Sequence, residues 1–117
     1  MKVFDIVKQL NLKVVSGEKG LDRKVSGAYI SDLLSDVMGN AKENQLWITL
    51  QVHQNVMAIA SLKDMAAVIL VKGLLPNENT IRHSNDEQIP ILSSADTTFD
   101  LAGKLYVLLN EGNKVTG

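Results

Sequence analysis

Four groups of side chains in this 117-residue chain have the types and spacing to do chemistry. His53 stands in "QVHQN", directly after the apolar run "LWITL". Imidazole titrates near neutral pH, so His53 suits a general base or a ligand contact, and it suits helix capping equally well. Ser93, Ser94, Asp96 and Thr97 follow another apolar run, and their short oxygen-bearing side chains fit both a ligand contact and a helix start. Lys72-Gly73 closes a third run, where Gly permits close backbone approach and Lys supplies charge for an anion. Asp32 and Asp36, in "SDLLSD", would share one side of a helix. Two carboxylates are fewer ligands than a divalent ion usually takes, so we read them as a solvated or capped face and expect no metal.

Several chemistries lack their motifs. The G-x-x-x-x-G-K-[ST] phosphate loop is absent, which argues against nucleotide hydrolysis or kinase chemistry. G-x-S-x-G is absent too, so no Ser-His-Asp set is assigned. The chain has no Cys, which removes disulfides, thiol nucleophiles and Cys-based zinc sites together. No catalytic residue and no cofactor are expected, and a small enzyme using His53 as base ranks last among the readings.

The elements that must position these groups follow from composition and periodicity. Apolar residues make up 45% and aromatics 4%, so the core is built from Val, Ile, Leu, Ala and Met, as suits helices packed on a buried parallel sheet. Twelve basic and 13 acidic residues give a net charge of −1 without a basic stripe, which argues against nucleic acid. No apolar run has signal-peptide or membrane-spanning length, so a soluble cytoplasmic protein without a membrane partner is expected.

Residues 2–10 predict an amphipathic helix with Val3, Phe4, Ile6, Val7 and Leu10 on its apolar face, followed by a short strand in "LKVVSG". "GEKGLDRK" is the best candidate for a mobile loop. Residues 25–30 read as extended and run into a short helix carrying Ile30, Leu33, Leu34, Val37 and Met38 on one face, capped near Ser31 or Asp32. Apolar runs then begin at Leu46, Ala66 and Ile89, 20 and 23 residues apart, each followed by polar residues and a helical pattern. That is three consecutive βα units in a mainly parallel sheet with right-handed crossovers, an α/β fold. The last helix has Thr97 and Asp100 near a capping box, with Phe99, Ala102, Leu105, Tyr106 and Leu109 on one face. A single domain spans residues 1–117, with a helix, strand and loop in 1–24, a core in 25–109 and a frayed tail in 110–117.

In an open parallel sheet ligands bind beyond the carboxyl ends of the strands. That rim would carry Thr49, Gln51, His53, Gln54 and Asn55 after one strand, Lys72 and Gly73 after the next, and Ser93, Ser94, Asp96, Thr97 and Thr98 after the last.

Through "VSGAYISDLLSDVM", "LWITLQVHQNVMAIASLKDMAAVILVKG" and "IPILSSADTTFDLAGKL", over residues 25–105, the chain resembles the DRTGG domain family. These are small α/β modules similar in fold to the N-terminal domain of HPr kinase/phosphorylase. The five name letters are not consecutive here: Asp22-Arg23 lies in the early loop, and Val71-Lys72-Gly73 stands where a Thr-Gly-Gly strand ending would fall. The resemblance implies a non-catalytic, dimeric module, related to those inserted between CBS domains of regulated pyrophosphatases as assembly and nucleotide-sensing elements. Leu74-Leu75 and the surplus apolar positions of the last helix, among Leu105, Val107, Leu108 and Leu109, point to association independently. The expected function is therefore regulatory binding of a small ligand, an adenine nucleotide for example, at the rim through Thr49, Gln51, His53, Lys72, Gly73, Ser94, Asp96 and Thr97. The alternative is a homodimeric interaction module with no ligand of its own.

Overall fold

Five strands and five α-helices make up the fold in a computed structural model that describes residues 1–111. They are α1 (Val3–Leu10), β1 (Lys13–Ser16), β2 (Gly27–Ile30), α2 (Leu34–Asn40), β3 (Gln45–Thr49), α3 (Asn55–Leu62), β4 (Ala67–Leu70), α4 (Glu78–Glu87), β5 (Ile91–Ser93) and α5 (Thr98–Leu109). The three βα units predicted from the repeated apolar runs are β3-α3, β4-α4 and β5-α5. Residues 112–117, most of the stretch expected to fray, lie outside the described residues.

The sheet order is β1-β5-β4-β3-β2. Strands β2 to β5 run parallel, with Ile48 opposite both Ile30 and Ile69 and Leu70 opposite Ser93. Strand β1 returns antiparallel against β5, with a bulge between Val14 and Ser16. Alternate side chains of each strand enter opposite layers. Leu46, Ile48, Ile69 and Leu92 pack with Val3 and Ile6 of α1 and Leu101 and Leu105 of α5. Trp47, Val68, Leu70 and Ile91 pack on the other side with Val37 of α2 and Val56, Met57 and Ala60 of α3. Helices on both sides explain why the central strands read as unbroken apolar runs instead of alternating.

Four expectations need correction. The segment "GEKGLDRK" is docked, not loose: a single 3-10 turn, Glu18–Gly20, sits against the end of α4. Gly17 (φ +69) and Gly20 press on the Ile89 and Gln88 carbonyls, leaving no room for a Cβ, and Arg23 donates from Nε to the Gln88 carbonyl at 2.9 Å. Seven residues of charge and glycine look like a loop, yet the glycines are there for close approach.

In α2, only Val37 of the expected apolar face is fully buried; Ile30, Leu33 and Met38 are exposed. Helix α5 buries Leu105 of its expected stripe together with Leu101, which was not on it, while Phe99 is 85% and Tyr106 70% exposed. Phe4 of α1 is likewise half exposed. Periodicity finds a helix more reliably than it selects between two adjacent apolar stripes.

Candidate functional site

Because β2 to β5 are parallel neighbours, their carboxyl ends and the loops that follow lie along one edge. Backbone and side-chain bonds then tie those loops into two clusters.

The first cluster forms around Asp32, in the loop after β2. Its Oδ1 accepts from the Thr49 hydroxyl at 2.8 Å and from the Leu50 N–H at 2.7 Å. Gln51 Nε2 donates to the Asp32 carbonyl at 2.9 Å, and the Gln51 N–H donates to Thr49 Oγ1 at 3.2 Å. Thr49 is buried, so its hydroxyl serves the framework. Asp32 was read as a cap or part of a solvated face; it instead organises the neighbouring loop, a role that sequence spacing does not reveal. Ser31 begins the turn into α2, its Oγ accepting the Leu33 N–H at 3.1 Å.

Asp36, its partner in the doublet, accepts from the Tyr29 hydroxyl at 2.8 Å and from Asn40 Nδ2 at 3.0 Å. Hydrogen bonding from Tyr29 holds the Asp36 carboxyl below the usual carboxylate range, and the same bond pushes the Tyr29 phenol up. Among the described residues, no group of three or more His, Asp or Glu is arranged to hold a metal ion.

The second cluster joins the loops after β4 and β5. Lys72 (φ 59) and Gly73 (φ 68) both adopt the left-handed conformation, uncommon for Lys, and their N–H groups donate to the Asp96 and Ser94 carbonyls, each at 2.8 Å. Both are exposed, and a Cβ on Gly73 would meet nothing within 4 Å. Lys72 makes no ion pair among the described residues. Ser94 is buried and accepts the Asp96 N–H at 3.1 Å, while Ser93 donates to the Leu74 carbonyl at 3.3 Å. Asp96 Oδ2 holds Lys104 Nζ at 2.9 Å, a hydrogen bond that raises the Lys104 pKa. Thr97 caps α5 as predicted, its Oγ1 accepting the Asp100 N–H at 3.3 Å.

His53 lies between these clusters in the chain and is exposed. Its Nδ1 accepts the Asn55 N–H at 3.2 Å, a capping bond at the start of α3. A neutral ring in that bond carries its proton on Nε2. The Val52 carbonyl beside it accepts the Asn77 N–H at 3.1 Å and the Thr80 hydroxyl at 2.8 Å, anchoring this loop to α4. Thr49 and Ser94 are thus committed internally. Gln51, His53, Lys72, Gly73 and Thr97 retain accessible surface, and Asp96 is shared with Lys104.

The polar pattern alone misses one property of the rim. Leu33, Leu50, Leu75 and Phe99, one following each parallel strand, are 64%, 36%, 55% and 85% exposed. Only Leu75, in the Leu74-Leu75 doublet, carried a signal in sequence. Four exposed apolar side chains and Lys72, which makes no ion pair among the described residues, thus stand along the carboxyl-end edge, with the Lys72 and Gly73 N–H groups already committed to the Asp96 and Ser94 carbonyls.

A mainly parallel, helix-flanked sheet with its polar loops at the carboxyl ends defines a small open-sheet α/β domain. The chain belongs to the DRTGG domain family, whose model matches residues 5–107. No curated protein matches the sequence. Among solved structures, the fold is similar to the CBS and DRTGG domains of the regulatory region of Clostridium perfringens pyrophosphatase, complexed with its activator diadenosine tetraphosphate. The TM-score is 0.70 at 14% identity, over 91% of this chain and 46% of that chain, so this chain spans less than half of its structural neighbour. No helix among the described residues is long and apolar enough to cross a membrane.

Proposed function

We propose that this chain is a cytoplasmic, non-catalytic regulatory domain that binds a small anionic ligand, an adenine nucleotide, at the carboxyl-end rim. The observation that carries this reading is the exposed Lys72-Gly73 turn: a cation with no ion pair among the described residues, next to a glycine with open space beside it, and exposed apolar side chains on the same rim. The nucleotide activator of the structural neighbour supports the ligand class. Lys72 meets phosphate, Phe99 and Leu75 offer apolar surface to a base, and Gln51, His53 and Thr97 contribute hydrogen bonds. Thr49 and Ser94 hold the loops in place, and an Asp96 contact requires Lys104 to share or release the carboxylate.

The reading is tested by thermal melting of the full chain with AMP, ADP, ATP and diadenosine tetraphosphate. A ligand at 100 times its dissociation constant stabilises the fold by about 2.7 kcal/mol. For a domain of this size that is a rise of several degrees. No shift across the four nucleotides overturns the reading.

A homodimeric interaction module is the second reading, favoured by the outward-facing Phe99, Tyr106 and Val107 of α5, at 85%, 70% and 59% exposure. Monomeric mass at micromolar concentration overturns it.

A further inference from the structure

We infer that the outer stripe of α5 and the groove beside it form the contact between two copies of this chain. The inference rests on the homodimer reading and names where that dimer closes.

The two sides of the sheet are covered unequally. Helices α2, α3 and α4 cover one; α1 and α5 cover the other. Beside α5, over β2 and β3, this leaves a groove of about 510 Å³, floored by Ala28, Ile30 and Ile48 and walled by Ala102, Leu105 and Tyr106. Ser26, Gln45 and Asn110 also line this mostly apolar trough, and a trough beside a helix on a sheet is the space a further helix would occupy.

The outer stripe of α5 has the pattern of a pairing helix. Phe99, Ala102, Tyr106 and Leu109 recur at intervals of three, four and three, the spacing of a helix–helix seam. None is charged. The charges of this helix, Asp100 and Lys104, lie off the stripe, and Lys104 is held by Asp96.

These features favour a second copy over another partner. A two-fold contact sets a patch against itself, so it tolerates no uncompensated charge. Tyr106 walls the trough and is 70% exposed, so a two-fold contact at this groove sets the side chain of each copy against the other copy's trough. Each partner brings two aromatics, of roughly 150–250 Å² apiece, toward the ~800 Å² per partner that a stable dimer buries.

The neighbouring sheet edge agrees. Strand β2 presents Gly27–Ile30 without charge or proline, whereas the opposite edge carries Lys13 and a bulge, both devices that discourage strand addition.

Sedimentation of the full chain at micromolar concentration tests the placement. The wild-type chain is expected to be a dimer, and Phe99→Glu and Tyr106→Glu are expected to be monomers with unchanged circular-dichroism spectra. Leu62→Glu, 69% exposed on α3, is expected to stay dimeric. A monomeric wild type removes the homodimer reading and this inference together. A dimeric wild type with both α5 variants also dimeric leaves the homodimer reading standing and overturns its placement on α5.

A second measurement does not depend on those variants folding. The chain has no Cys, so Tyr106→Cys supplies a single thiol. A short bis-maleimide is expected to convert that variant to a covalent dimer at micromolar concentration. A dimeric Tyr106→Cys chain that fails to cross-link overturns the placement.

Discussion

At Asp36 a phenol performs the task that a metal ion would perform in a carboxylate site, lowering the charge density on the oxygen. Because the Tyr29 hydrogen bond depresses the folded-state pKa, it stabilises the fold above the unfolded carboxylate value. That contribution is lost as pH falls through the lower folded value. Tyr29→Phe is therefore expected to move the Asp36 titration, followed by carboxyl NMR, up toward the ordinary carboxylate range. Asp32 carries a different load, since it accepts from a buried hydroxyl and a backbone N–H at once. Asp32→Ala leaves the buried Thr49 hydroxyl without that acceptor, and urea unfolding should register a loss of about 1–3 kcal/mol. For the rim itself, Lys72→Ala is expected to abolish any nucleotide-induced melting shift while leaving the unliganded melt unchanged. Retained shift in that variant would move the site elsewhere.

At the scale of elements, the docked turn between β1 and β2 makes the sharpest prediction. Gly20→Ala places a methyl against the Gln88 carbonyl, a backbone group that cannot swing aside, and overpacking of this kind costs typically 1–3 kcal/mol. Denaturant unfolding should show it, and Gly39→Ala, with nothing within 4 Å, should show no such loss.

The same elements separate what was legible in the sequence from what was not. Length and spacing of the apolar runs were enough for β3, β4 and β5 and for the helices between them, because burial on both sides writes itself as continuous Leu, Ile, Val and Ala. Thr97 marked a helix start through its chemistry. Which face of α5 turns inward was only partly legible: Leu105 of the expected stripe is buried, but Leu101 takes the place of Phe99 and Tyr106, and the choice depends on the sheet beneath. Nor was the Asp32 cluster, whose partners lie 17 and 18 residues onward and meet only through strand pairing.

For the whole molecule, pairing between β1 and β5 ties residue 13 to residue 93, a separation of 80 residues. Strands β2, β3 and β4 can assemble with their helices while the rest of the chain is still being synthesised. Strand β5 must then slot between two strands already made, so the sheet is sealed by its last-made strand. The order of synthesis therefore leaves β1 waiting. Its amides are expected to exchange freely with solvent in nascent chains halted before residue 91 and to become protected once β5 arrives, a difference that pulsed hydrogen exchange on stalled chains would resolve.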